Sequence, residues 1–323
     1  HNIIACGITN QRETTVLWDK QTGVALYPAI TWKDQRVQPD DLSFVKNYIK
    51  PDKLKQLTGL ELSPVYSASK IKWILENVAD IKNYLLNDRL AFGTINSWLI
   101  FNLTDERNHF CDHTNANHTL LYSLKENDWD QNLLRIFRIN ATIIPKIQPN
   151  FYNFGHIKIG NKQIPLMASI ADQQAGMYYA THNKQNQSLA KLTLGSGIFL
   201  NYSLGQKIIF KSQYETLISY YKKAAEYMLE YRFALNGPEL VLAIKSENQK
   251  IINQFFNEIK EKVLNLKINK LMIDGGTIRH DEIGDQLFNI LEKLPCEIFR
   301  PDSIQTTALG TAQILRDNNN RIK

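Results

Sequence analysis

Arg12 and Glu13 stand side by side in the run Gly7-Ile8-Thr9-Asn10-Gln11-Arg12-Glu13-Thr14-Thr15. An adjacent guanidinium and carboxylate can bind neighbouring hydroxyls, the first donating and the second accepting. That chemistry suits a polyol or a sugar. The plainer alternative is a surface ion pair at a strand end, which contributes little. Asp172 follows the apolar run Met167-Ala168-Ser169-Ile170. At such a strand end a carboxylate can act as a base toward a ligand in a cleft, or it can cap a helix entered at Gln173-Gln174-Ala175. Gly195-Ser196-Gly197 interrupts a second apolar stretch. Its backbone N–H groups can approach phosphate oxygens without a Cβ in the way, although a lone Gly-x-Gly also makes an ordinary hairpin turn. Asp274-Gly275-Gly276 follows Leu271-Met272-Ile273; it can receive an anion at a helix start or simply connect strand to helix. Trp32 offers an aromatic face suited to the C–H surface of a polyol, or a core side chain. His109, Cys111, His113 and His118 have the spacing of a metal cluster, but zinc needs four convergent ligands, and no metal site is expected.

The elements that must position these residues are legible from periodicity. Ile3 to Thr9 and Thr15 to Trp18 read as strands paired with each other, with Asp19 to Gly23 as a turn. Asp40 to Ile49 has apolar residues near helical spacing, with Pro51 as a stop. Ser69 to Val78, Trp129 to Phe137, Ile251 to Leu264 and Ile283 to Leu294 read as helices. Ile164 to Ala171, Leu189 to Tyr202 and Leu271 to Ile273 read as strands, the second broken by the tight turn at Gly195 to Gly197. Alternating strands and helices give an α/β protein. The polar stretch before Ile164 suggests two units, 1–163 and 164–323.

Bulk properties narrow the function classes. The chain has 323 residues, of which 43% are hydrophobic, enough for two packed units. The net charge of +6 comes from Lys and Arg scattered among Asn, Ile and acidic residues. That is a solvated surface rather than a basic stripe, so no nucleic-acid partner is expected. No uninterrupted apolar run is long enough for a membrane span. Three cysteines, Cys6, Cys111 and Cys296, are far apart and odd in number, which fits a reducing, cytoplasmic compartment.

Gly7 to Thr15, with Trp18-Asp19-Lys20 and Ala29-Ile30-Thr31-Trp32, resembles the FGGY carbohydrate kinases, most of all their glycerol-phosphorylating branch. The resemblance continues in order through Thr58-Gly59-Leu60, Lys72-Trp73-Ile74-Leu75, Phe92-Gly93-Thr94-Ile95, Trp98-Leu99-Ile100, Thr114-Asn115-Ala116, Ala171-Asp172-Gln173-Gln174-Ala175, Asp274-Gly275-Gly276 and Thr306 to Gly310. It implies two ribonuclease-H-like, actin/hexokinase-type domains around a cleft. It also implies ATP-dependent phosphorylation of glycerol to glycerol 3-phosphate, with ATP and Mg²⁺ as cofactors. A related FGGY sugar kinase, or an inactive polyol-binding remnant, are the alternatives. A homo-oligomer is compatible with the family.

Residue by residue, the family's base falls on Asp172. Its substrate ligands fall on Arg12, Glu13, Trp32, Gln173 and Phe199. Its nucleotide contacts fall on Gly195, Ser196 and Gly276, with an Asn of the family replaced here by His280. The family's pocket Tyr aligns with Val65 in Pro64-Val65-Tyr66-Ser67, so Tyr66, one place later, is the candidate for that hydroxyl. The segment around Asp112 and Thr114-Asn115-Ala116 has no metal role in the family. The family's phosphate hairpin, with an Asp associated with the metal, lies before the point where this chain starts at His1. The family is also longer near Gly237-Pro238 and beyond Gly310. The expectation is a fragment or shortened product, both domains incomplete, with weak or absent turnover.

Overall fold

The computed structural model describes residues 3–182, 190–279, 281–303, 305–318 and 320. Among them the first half opens on two short strands, β1 (Cys6–Asn10) and β2 (Thr15–Asp19). They do not pair with each other. Strand β2 runs antiparallel to β3 (Leu90–Thr94), whereas β1 pairs parallel with a later strand. The reason lies in the link between them. Glu13 adopts a left-handed φ of 60°, which turns the chain out of the plane of β1.

The expected helix over Asp40 to Ile49 is a run of 3₁₀ turns, Pro39–Asn47. Pro51 does not end a helix but opens one, Pro51–Thr58, at the first-turn position where its missing N–H is harmless. Helix α1 (Ser67–Asn77) then buries Ile71 and Ile74 against Leu17, Phe92 and Phe137.

Strand β4 (His156–Ile159) forms a hairpin with β5 (Lys162–Ala171), and β5 is the parallel partner of β1. The division expected between 163 and 164 falls inside β5, whose register with β1 runs to Asn10 opposite Ala171. Helix α2 (Asp172–His182) follows without a linker.

The second sheet is six-stranded and built around the turn Gly195 to Gly197. Its strands are β6 (Ala190–Leu194), β7 (Ile198–Gly205), β8 (Glu215–Tyr221), β9 (Ala225–Arg232), β10 (Lys270–Asp274) and β11 (Glu297–Phe299). The order is β8-β9-β7-β6-β10-β11, antiparallel up to β6 and parallel beyond it. Helix α3 (Gln249–Leu266) packs on this sheet through Ile252, Phe255, Ile259, Val263 and Leu266, spaced three or four apart on one stripe. Asn248 caps its start and Lys267, at φ 53°, ends it. The two halves are joined by packing: Met177, Leu217 and Met228 belong to the core of the first half.

Candidate active site

Two neighbouring parallel strands, β1 and β5, end at the same level, with Asn10 opposite Ala171. Their carboxyl ends therefore deliver Gln11-Arg12-Glu13 and Asp172 to one place, the usual position of ligand sites in α/β sheets. From the other half come the turn Gly195 to Gly197, Phe199 on β7 and Arg232 at the end of β9. Phe199 and Arg232 are cross-strand partners in that sheet. These residues, with Trp32, Gln173 and Thr193, enclose a cavity of about 150 Å³. It opens past Trp32, Ser196, Gly197, Phe199 and Arg232 into an outer cleft of about 950 Å³.

The floor of the cavity is a buried charge network. Arg12 is only 4% exposed. Its Nη1 and Nη2 donate to the two carboxylate oxygens of Glu230 at 2.8 and 2.9 Å, a bidentate fork. Nη1 also lies 2.9 Å from His118 Nε2. Arginine can only donate, so Nε2 accepts and the imidazole proton belongs on Nδ1. Arg12 thus commits both N–H groups of Nη1 and one of Nη2 to this floor. Its Nε remains near the site carboxylates, 4.0 Å from Glu13 and 3.8 Å from Asp172. Burial opposes the charge on Arg12, but Glu230 and Glu13 more than restore it.

Glu13 is 3% exposed. Burial alone would favour its neutral form, yet Arg12, His118 and Arg232 outweigh that and hold its carboxyl at about 2. Its Oε1 is buried and has no hydrogen-bond partner among the described residues. Three donors surround that oxygen without closing on it: His118 Nδ1 at 3.1 Å, Arg232 Nη2 at 3.6 Å and Arg12 Nε at 4.0 Å. The strained backbone of Glu13 is pinned through its carbonyl, which accepts from Thr15 Oγ1 and Lys70 Nζ at 3.1 Å each and from Ser67 Oγ at 3.4 Å. Burial lowers Lys70 to about 8.

Asp172 opens α2. Its Oδ1 accepts the N–H of Gln173, the next residue, at 2.7 Å. A third of its side chain still faces the cavity. Desolvation by the surrounding walls raises its carboxyl above the usual range, against the pull of Arg12. Gln173 is held by its oxygen, which accepts from Lys191 Nζ at 3.0 Å. Its amide nitrogen is therefore the end left for a ligand. Asp274 braces this support, accepting from Thr193 at 2.8 Å and Thr306 at 2.5 Å.

Most of the expected site residues converge: Arg12, Glu13, Trp32, Asp172, Gln173, Gly195, Ser196 and Phe199 all line the small cavity. Three do not. Tyr66 is buried at the start of α1 and its phenol donates to Glu215, while Val65 lines the outer cleft. Gly276 is exposed and lines neither cavity, although Gly275 packs on β6 at a φ of 108°, where a Cβ would meet Leu194 O at 2.3 Å. His280 lies outside the described residues. The suspected metal cluster is dispersed: His109 meets Phe92 O, His113 stacks on Tyr221, and His118 joins the charge network.

The sequence reading missed His118 in this role, and also Lys191, Glu230 and Arg232. A signal was present for the last two. Glu230 and Arg232 are charged residues two apart in one strand, hence on one face.

The chain is similar to known proteins in sequence and in fold. The N-terminal domain of the FGGY family of carbohydrate kinases matches residues 1–178. Glycerol kinase of Mycoplasma mycoides subsp. mycoides is 40% identical over 244 residues, 73% of this chain and 47% of that protein. Glycerol kinase 2 of Sulfolobus acidocaldarius is 36% identical over 238 residues, again 73% of this chain and 47% of that protein. The chain thus spans about half the length of these curated relatives. The crystal structure of Plasmodium falciparum glycerol kinase with ADP superposes with a TM-score of 0.82 at 25% identity, covering 98% of this chain and 78% of that one. More than half of the chain matches the family's N-terminal domain, and its whole described fold matches a solved member. The chain belongs to the FGGY family of carbohydrate kinases.

Proposed function

We propose that this chain binds glycerol in the small cavity and transfers to it a phosphoryl group from ATP, forming glycerol 3-phosphate. The observation that carries the reading is the pairing, in one cavity, of an orphaned buried acceptor on Glu13 with the partly open carboxylate of Asp172. A cavity near 150 Å³ accommodates a ligand of about six non-hydrogen atoms, which is the size of glycerol. A pentulose or an aldonic acid would have to extend into the outer cleft.

In this reading Asp172 accepts the proton of the attacking hydroxyl, and its raised pKa brings it closer to the range of an effective general base. Glu13 accepts from a second hydroxyl, Gln173 donates to a substrate oxygen, and Trp32 and Phe199 cover the carbon chain. ATP, when bound, supplies the phosphoryl group. The chain's fit to its phosphates rests on the turn at Gly195. The N–H groups of Ser196 and Gly197 are tied to no backbone carbonyl among the described residues, and both residues line the cavity. Mg²⁺ would neutralise the phosphates; among the described residues no group of three metal-ligating side chains assembles to hold it independently.

The test is a coupled assay of ATP-dependent phosphorylation with glycerol, xylulose and gluconate, alongside calorimetry with glycerol. Turnover confined to glycerol supports the reading. Glycerol binding without turnover would identify a polyol-binding remnant, and absence of glycerol binding would sink the proposal.

A further inference from the structure

Glu230 and His118 take three of the five N–H groups of Arg12, two on Nη1 and one on Nη2, which leaves Nε–H and one Nη2 N–H. The cavity also contains a second guanidinium. Arg232 lines both the small cavity and the outer cleft, and about a third of its side chain is exposed. It stacks on Phe199 at 5.3 Å from the ring centroid, and Arg12 lies at the same distance from that ring. Its one recorded ion pair is the 3.6 Å approach to Glu13 Oε1, longer than a hydrogen bond. The charges therefore run in sequence along the wall: Asp172, Arg12, Glu13, Arg232. Asp172 and Arg232 are the first and last members of this row of charges.

We propose that Arg232 is a substrate-binding residue that, with Glu13, grips the terminal hydroxyl of the polyol at the end remote from Asp172. Glu13 accepts that hydroxyl's proton in a hydrogen bond while the guanidinium donates to its oxygen, so the ligand closes the gap now left between the two side chains. Arg232 thus adds a second guanidinium to the Arg12-Glu13 pair in the same cavity. This rests on the glycerol-binding reading above and adds the residue that discriminates a triol from a diol.

The experiment is calorimetry of the wild-type chain and of Arg232→Met with two probes, glycerol and propane-1,2-diol. Methionine keeps an apolar stem over Phe199 and removes the donors. A hydrogen bond to a charged group corresponds to roughly tenfold or more in affinity, so the wild type should prefer glycerol by at least that factor. The preference should fall to less than about threefold in Arg232→Met, with a melting temperature close to that of the wild type. If Arg232→Met does not melt cooperatively, Arg232→Gln, whose shorter side chain falls short of Glu13, takes its place with the same expectation. A full preference retained in the folded variant overturns the role of Arg232 and leaves the polyol site standing. Binding of neither probe to the wild type overturns both.

Discussion

Replacing Glu230 by Gln tests the buried network more severely than any change in the cavity itself. Glu230 is 1% exposed and Arg12 4%, and they meet through two hydrogen bonds of 2.8 and 2.9 Å. Glutamine preserves the shape but offers one acceptor and one donor. One of the two bonds becomes a donor facing a donor, and the Arg12 charge loses its principal partner. Breaking a buried pair from one side costs about 3–5 kcal/mol. With roughly 2 °C per kcal/mol for a chain of this size, Tm should fall by roughly 6–10 °C. Arg12 would also lose the contact that fixes it beneath Glu13, so glycerol affinity should fall in the same variant. The assay is thermal unfolding by circular dichroism, paired with calorimetry. Arg12→Met alone and the double variant Arg12→Met/Glu230→Gln complete a cycle: the double change should be less destabilising than the sum of the single changes. A Tm within about 2 °C of the wild type for Glu230→Gln, or strict additivity in the cycle, would refute the buried pair as the anchor of the site.

Further outcomes follow from the same geometry. Asp172→Asn should cut any phosphoryl transfer by roughly 10²–10⁴-fold while glycerol affinity changes only a few-fold, as read by kcat against calorimetry. The base must be ionised, so turnover should fall with acid through a midpoint above the ordinary aspartate value of 3.8, because burial raises this carboxyl. Lys70→Met should show the opposite kind of pH signature. Burial lowers the lysine to about 8 from 10.5, so the unfolded chain binds the extra proton between these values. Wild-type stability relative to Lys70→Met should therefore rise between pH 8 and 10.5, by up to about 3 kcal/mol, in denaturant titrations at each pH. Thr193→Val should lower glycerol affinity by several-fold, because it removes the hydroxyl that lies between Asp274 and the Gln173 oxygen. Gly275→Ala should lower the urea midpoint. Its φ of 108° is unfavourable for any Cβ, and the new atom would lie 2.3 Å from Leu194 O.

Local chemistry was readable in the sequence wherever it depends on neighbours along the chain. The Arg12-Glu13 pair, Asp172 after its strand, the glycine turn at 195–197 and the amphipathic stripe of Gln249–Leu266 all declare themselves through spacing of 2 or 3.6 residues. What spacing cannot express is which strand pairs with which. The expected pairing of β1 with β2 gave way to β1 beside β5, more than 150 residues away, and that register is what brings Asp172 to Arg12. Tyr66 shows the same limit: one position decided whether a phenol met the ligand or Glu215. The partners of Arg12 were equally invisible, since Glu230 and His118 reach it across 218 and 106 residues. Periodicity is a property of one segment, whereas the direction of a guanidinium fork is set by whatever carboxylate the folded chain buries beside it. Sequence therefore determined most of the residues that meet at the cavity, and tertiary structure alone decided that Arg232 joins Arg12 there.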